Sequence, residues 1–448
     1  MQTTILKKLF WGLVVVITFL TNPSELFAQK NSYSISHSNG THSIRVNNSK
    51  QNFNIEYEGD ITISDDDKDI VAISRGGFIE IKKSRFGKRR RLVVESEGGK
   101  LTRKFFIGWT EKPYDPEGKN WLADILPDIV RSTTIGAQSR VDRFYKKGGT
   151  NAVMSEIGEI ESDYVKSKYF KLLLEKNLNT NELVRVIETA GREIDSDYYL
   201  TQILKSNQKA FLANAKTITA YINASGNIDS DHYLTQLVKT VIKDKNISDS
   251  QLGSLLQITE KVDSDHYRTE ILKTIMDNRE LNKANMNKIM NLSKDVNSDH
   301  YRTVILKKAL RSNKVTGDVR EVFLESLNDV KSDHYTTEIA KELLRDKLDN
   351  ASLTKLLNIV KSNVSSDHYA TVIYKKIGSN SKLTETQLIQ VMNTAARNIQ
   401  SSYYLSQVLL AYVNQVKGGS EKLKSAYMNA AKSIKSDTYL GRVMKALY

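Results

Sequence analysis

Between about residues 31 and 109, apolar and polar residues alternate with a period of two, over 42–46, 53–57, 61–63, 78–81, 92–94 and 104–109. Alternation bounded by Asn-Gly, Gly-Gly and Asp-rich turns predicts half-buried strands joined mostly by short hairpins. The expected unit is a small antiparallel β domain over residues 29–112. Past residue 150 the spacing becomes helical, and no proline interrupts it up to the C-terminus. There the dipeptide Ser-Asp, followed by two aromatic or imidazole residues, returns at Ser162, Ser196, Ser230, Ser264, Ser298, Ser332 and Ser366, each 34 residues after the last. Ser401 and Ser436 follow at intervals of 35, making nine copies, with Ser402 replacing the aspartate in the eighth and Val165 and Thr438 departing from the pattern in the first and ninth. A fixed period of this size marks stacked supersecondary units, none of which buries its apolar face alone.

Within each copy, the serine is a preferred N-cap and the aspartate complements the positive end of the helix dipole. Two residues before the serine stands Ile194, Ile228, Val262, Val296, Val330 or Val364, placed to pack on the tyrosine that follows as a hydrophobic staple does. That tyrosine recurs as Tyr199, Tyr233, Tyr267, Tyr301, Tyr335, Tyr369, Tyr404 and Tyr439. Four residues on, Ile203, Leu237, Ile271, Ile305, Ile339, Ile373, Val408 or Val443 shares its face, and the two columns are expected to form the buried seam. A second helix is legible at 251–258 and 352–359, so each unit reads as an αα-hairpin. The period equals that of tetratricopeptide repeats, but the Trp, Leu-Gly and Ala signature positions are missing.

Pro113, Pro116 and Pro127 separate the two regions. Residues 114–119 read as a linker, followed by helical spacing over 121–144 that Gly148-Gly149 should end. The expected fold class is therefore α+β multidomain: a small antiparallel β domain, then an αα-hairpin repeat solenoid of about nine repeats. Its segments are 1–28, 29–112, 113–149 and 150–448.

The first segment carries Lys7-Lys8, an apolar run over 9–20 and a small-residue exit at Ala28, the pattern of a cleaved secretory signal peptide; a retained signal anchor is the alternative. Export places the protein in the periplasm or at the cell surface. Cysteine is absent, which excludes disulfides, thiolate metal sites and a cysteine nucleophile. Lys and Arg exceed Asp and Glu by 14, an excess that favours anionic envelope surfaces and is compatible with peripheral membrane contact. An exported chain has no evident use for specific nucleic-acid binding.

Five of the seven histidines share one repeat position: His232, His266, His300, His334 and His368. Equivalent residues on stacked helices lie about 8–10 Å apart, too far for adjacent rungs to share a zinc ion, whose ligands each lie within about 2.1 Å. No metal or other cofactor is expected. Tyr198 and Tyr403 occupy the same position in flanking repeats, which favours a planar group hydrogen-bonded to the next repeat; a ligand-facing ladder is the other reading. Seven positions on stand Lys239, Lys273, Lys307, Lys341 and Lys375, with Thr235, Thr269, Thr303, Thr337 and Thr371 nearby. This stripe is either a solvated face or a partner-binding track for a polyanion or an acidic protein segment. The basic run over 82–91 reads first as a solvated hairpin tip that discourages edge pairing, and second as an anion-binding patch. The acidic run over 65–69 reads as a polar turn rather than a calcium loop, because the EF-hand glycine and distal glutamate are missing. None of the common catalytic motifs is present.

Residues 65–81 (Asp-Asp-Asp-Lys-Asp-Ile-Val-Ala-Ile-Ser-Arg-Gly-Gly-Phe-Ile-Glu-Ile), 116–122 (Pro-Glu-Gly-Lys-Asn-Trp-Leu) and 156–174 with its Ser-Asp-Tyr resemble the exported C-terminal extension of some BlaR-type antirepressor metallopeptidases of the bacterial envelope. The peptidase part and its zinc motif are absent. The resemblance implies a sensory or partner-binding module used without its protease, and brings no catalytic residue. The functional expectation is an exported, non-enzymatic scaffold that recognises a protein or anionic glycan partner in the cell envelope. The alternative is a regulatory sensor of an envelope signalling system, and a hydrolase stands as a third class.

Overall fold

The structure is a computed structural model that describes residues 32–38, 40–47, 52–85, 88–244, 247–312, 314–379 and 383–448. The expected signal peptide, and Phe86 and Gly87 of the basic run, lie outside the described residues. The chain divides into two compact units, one up to Gln208 and one from Lys209.

In the first unit, alternation has produced an antiparallel sheet ordered β1 (Ser32–Ser38), β2 (Thr41–Asn47), β3 (Asn52–Glu58), β6 (Phe78–Arg85), β7 (Lys88–Glu97), β8 (Lys100–Ile107) and β9 (Thr110–Lys112). A separate pair, β4 (Ile61–Ile63) and β5 (Ile70–Ile73), lies between β3 and β6 in sequence. Neither β1 nor β5 was among the expected strands; β1 reads Ser-Tyr-Ser-Ile-Ser-His-Ser, with little apolar signal to detect. Gly98 and Gly99, both at positive φ, turn β7 into β8 with Glu97 paired to Lys100, a two-residue hairpin that requires left-handed backbone.

The inward positions Ile44, Phe53, Ile55, Ile79, Ile81, Leu92, Val94 and Phe105 form one core with Trp121, Leu122, Ile125, Leu126, Ile129 and Val130 of the Lys119–Ser132 helix. That helix contains Pro127 and ends at Ser132, so the break falls earlier than expected. At Gly148 and Gly149 the backbone leaves helical geometry, with Gly149 at positive φ, so the helix that starts at Ala137 breaks there as expected and a second one runs on to Gly158. The helices Asp163–Leu174, Thr180–Glu193 and Asp197–Ser206 complete this unit.

In the second unit, each Ser-Asp helix packs against the next one along the chain, and each intervening helix does likewise, giving two parallel rows of helical hairpins. The Ser-Asp row runs Asp231–Lys243, Asp265–Asn278, Asp299–Leu310, Asp333–Leu343, Asp367–Gly378, Ser402–Lys417 and Asp437–Leu447. The aliphatic column from Leu237 to Val443 is fully buried between the rows, as are Ile228, Val262, Val296 and Val330. The tyrosines of the expected seam are only half-buried. Being larger and carrying a hydroxyl, they sit at the rim of the stack. Among the described residues no helix is long and apolar enough to cross a membrane.

Candidate functional site

What fixes the start of most Ser-Asp helices is chiefly the aspartate of the repeat before them. Ser264, Ser332 and Ser401 accept their own helix's third amide only at 3.5 Å, the weak limit of a hydrogen bond, and Ser298, Ser366 and Ser436 make no such bond. The cap expected from the serine hydroxyl is thus a minor contributor. Asp231, Asp265, Asp299, Asp333 and Asp367 reach forward one repeat instead. Their carboxylates accept the backbone N–H of Ser264, Ser298, Ser332, Ser366 and Ser401 at 2.7–2.8 Å. The amide before each serine donates to the same carboxylate at 3.1–3.3 Å. In the eighth copy the Ser402 hydroxyl takes this place, accepting from Lys435 and Ser436 at 3.0 and 3.2 Å. Two otherwise orphan amides per repeat are satisfied in this way.

This clamp positions the two residues after the aspartate. Each histidine is exposed and each neighbouring tyrosine half-buried. His232, His266, His300, His334 and His368 meet the tyrosine of the next repeat edge to face, with ring centroids 5.8–6.1 Å apart. Each also meets its own neighbouring tyrosine at 5.2–5.3 Å, and Tyr403 continues the series to Tyr439 at 5.7 Å. The geometry is that of favourable aromatic pairs. His232, His266 and His300 share hydrogen bonds through Nδ1 with the hydroxyls of Tyr267, Tyr301 and Tyr335 at 3.3–3.5 Å. The result is a continuous edge of alternating imidazole and phenol rings along the second unit, tied repeat to repeat yet open to solvent.

The lysine column is less free than its sequence suggests. Glu270 sits between Lys239 and Lys273, at 3.1 and 3.4 Å, and Glu338 between Lys307 and Lys341, at 3.1 and 3.0 Å. The lysines hold both carboxyls below the usual glutamate value, chiefly through these hydrogen bonds. Only Lys375 of the five has no ion pair among the described residues. Thr235, Thr269, Thr303, Thr337 and Thr371 are buried, so they contribute nothing to an exposed stripe.

The acidic run 65–69 is built into the first unit. Asp67, at positive φ, receives Arg140 through two hydrogen bonds of 3.0 and 2.8 Å and Arg143 at 2.7 Å. Arg140 is 1% exposed and also bonds Glu156 at 2.8 Å and the Tyr169 hydroxyl. Two guanidinium groups occupy the place a cation would need. Burial opposes ionisation of Asp67 and Glu156, yet the arginines outweigh it and hold both carboxyls below their ordinary values; burial pushes the Tyr169 hydroxyl up. Among the described residues no group of three or more His, Asp or Glu side chains is close enough together to hold a metal ion.

No family model matches the chain, and no curated protein matches it. Among solved structures, the TSC2 N-terminus shares 15% identity at a TM-score of 0.41, covering 69% of this chain and 99% of that one. A chain from a computational design of self-assembling cyclic protein homooligomers shares 10% identity at a TM-score of 0.11, covering 71% and 95%. With both TM-scores below 0.5, neither likeness extends to the arrangement as a whole. The class that the chain's own architecture defines is an antiparallel β domain followed by a helical-repeat array.

Proposed function

We propose that this protein is an exported, non-enzymatic binding scaffold whose helical repeats engage a partner in the cell envelope along the histidine–tyrosine edge. The observation that carries this reading is the continuity of that edge: one exposed imidazole and one half-buried phenol per repeat, held at constant spacing by the aspartate clamps. A purely packing ladder has no need of solvent-exposed rings at every rung. Of the two partner classes, protein is favoured over an anionic glycan, because Glu270 and Glu338 engage four of the five column lysines and cancel two of their charges. Planar rings with polar edges suit an extended peptide. One turn of polyproline II advances about 9.3 Å, close to the roughly 8–10 Å step between packed helices, so each turn meets one rung.

The test is capture from an envelope extract by the chain from Gln29 onward, compared with a variant carrying His266→Ala, His300→Ala and His334→Ala. The side chains are exposed, so the variant should stay folded with its helical content unchanged, its unfolding midpoint lowered only by the lost ring contacts. Retention of the partner should fall at least tenfold. Equal retention by the folded variant would discard the edge as the binding surface.

A further inference from the structure

A second surface lies at one end of the β sheet. The pairing registers bring the start of β7 and the β8–β9 turn to the same end: Lys83 faces Arg90, Arg90 faces Ile107, and the Gly108 amide donates to the Arg89 carbonyl at 2.8 Å. Lys83, Lys88, Arg89 and Arg90 thus converge there, and among the described residues none of them pairs with a carboxylate. Glu56, Glu58, Glu95 and Glu97 fall toward the opposite end of the same strands, together with Lys100, Arg103 and Lys104, and Glu111 stands two residues past Trp109 at the basic end. Beside the basic group, Trp109 is 93% exposed. The guanidinium of Arg89 lies 5.7 Å from its ring centroid.

An indole held fully in water at the tip of a turn is costly to maintain without a partner. Trp is the side chain that settles at the level of lipid headgroups, its ring amphipathic and its N–H wet. Lysine and arginine beside it are drawn to anionic lipid by about 1 kcal/mol each within a Debye length. We propose that this end of the sheet is a peripheral docking site for an anionic phospholipid bilayer, with Trp109 entering the headgroup region and Lys83, Lys88, Arg89 and Arg90 pairing with lipid phosphates. This surface is independent of the histidine–tyrosine edge, so either reading stands or falls alone.

The experiment uses the chain from Gln29 onward, so that the apolar run 9–20 supplies no contact of its own; Trp109 and Trp121 are then its only tryptophans. Vesicles of mixed phosphatidylcholine and phosphatidylglycerol should sediment the protein and shift its tryptophan emission to the blue, while pure phosphatidylcholine vesicles should do neither. Trp109→Phe should abolish the shift, since Trp121 is already buried. A Lys88→Gln, Arg89→Gln, Arg90→Gln variant should bind about a hundredfold more weakly. The proposal is overturned if emission does not move on binding, if the triple variant sediments like the parent, or if short-chain polyphosphate binds the tip as tightly as the vesicles do.

Discussion

At the scale of single residues, the ion cluster around Arg140 holds the first unit together in a way that only acid should loosen. Asp67 and Glu156 have carboxyls held below their ordinary values by Arg140, Arg143 and Arg131 against the opposing effect of burial. Such groups contribute stability that is fully present above the unfolded carboxylate pKa, about 4, and is lost as pH falls through the lower folded values. The thermal midpoint of the first unit, followed by emission of the buried Trp121, should therefore drop on acidification below about pH 4. Asp67→Asn should be destabilised at neutral pH by about 3 kcal/mol or more, since it leaves Arg140 short of a charge partner in a buried site, and its midpoint should depend less on pH. A variant with the parent's acid slope would show that the pH response lies elsewhere. None of this was legible in the sequence. The acidic run presented itself as a solvated turn because its partners, Arg140 and Arg143, stand more than seventy residues away.

At the scale of the element, the Ser-Asp dipeptide was legible as a helix start, and the starts fall where it places them. Its chemistry was misassigned, because an aspartate at the first helical position looks the same whether it complements its own dipole or clamps the next repeat 33 residues on. One signal pointed to the clamp: the eighth copy replaces aspartate by serine, losing the charge but keeping an acceptor. Asp299 shows what is at stake, since it accepts from Lys331 and Ser332 at 3.1 and 2.8 Å. Asp299→Ala should cost about 0.5–2 kcal/mol, the range for losing a side-chain acceptor at a helix start, while Asp299→Ser should recover part of it. Urea denaturation of the three proteins checks this order; an alanine variant as stable as the serine variant would deny the clamp its role. A volume exchange between neighbouring helices was equally hidden. Gly378 opens a slot for the Tyr412 ring, which would lie 2.5 Å from any added Cβ, and the Tyr412 hydroxyl donates to the Tyr374 carbonyl at 2.7 Å.

At the scale of the whole molecule, a period of 34–35 residues specified the repeated hairpins because each one packs on its neighbours in a row, so local pattern and long-range contact coincide. Where they do not coincide the reading failed, as at the break between Ser132 and Ala137 and the strand at Ser32–Ser38. Nearest-neighbour packing has a consequence for both stability and binding. In such an array stability is roughly a sum of repeat and interface contributions, so a chain ending at Lys417 should lose only the final hairpin. Its remaining repeats should stay folded, with a lower urea midpoint and a smaller m-value in proportion to the surface removed. The histidine–tyrosine edge would lose Tyr439 and keep every rung from His232 to Tyr404. Partner retention should then fall by the share of one rung rather than vanish, because an extended ligand that contacts successive rungs gains affinity from each. Complete loss of retention in a truncated chain that remains helical would place the recognition at the C-terminal hairpin alone, and the rungs from His232 to His368 would be packing without a ligand.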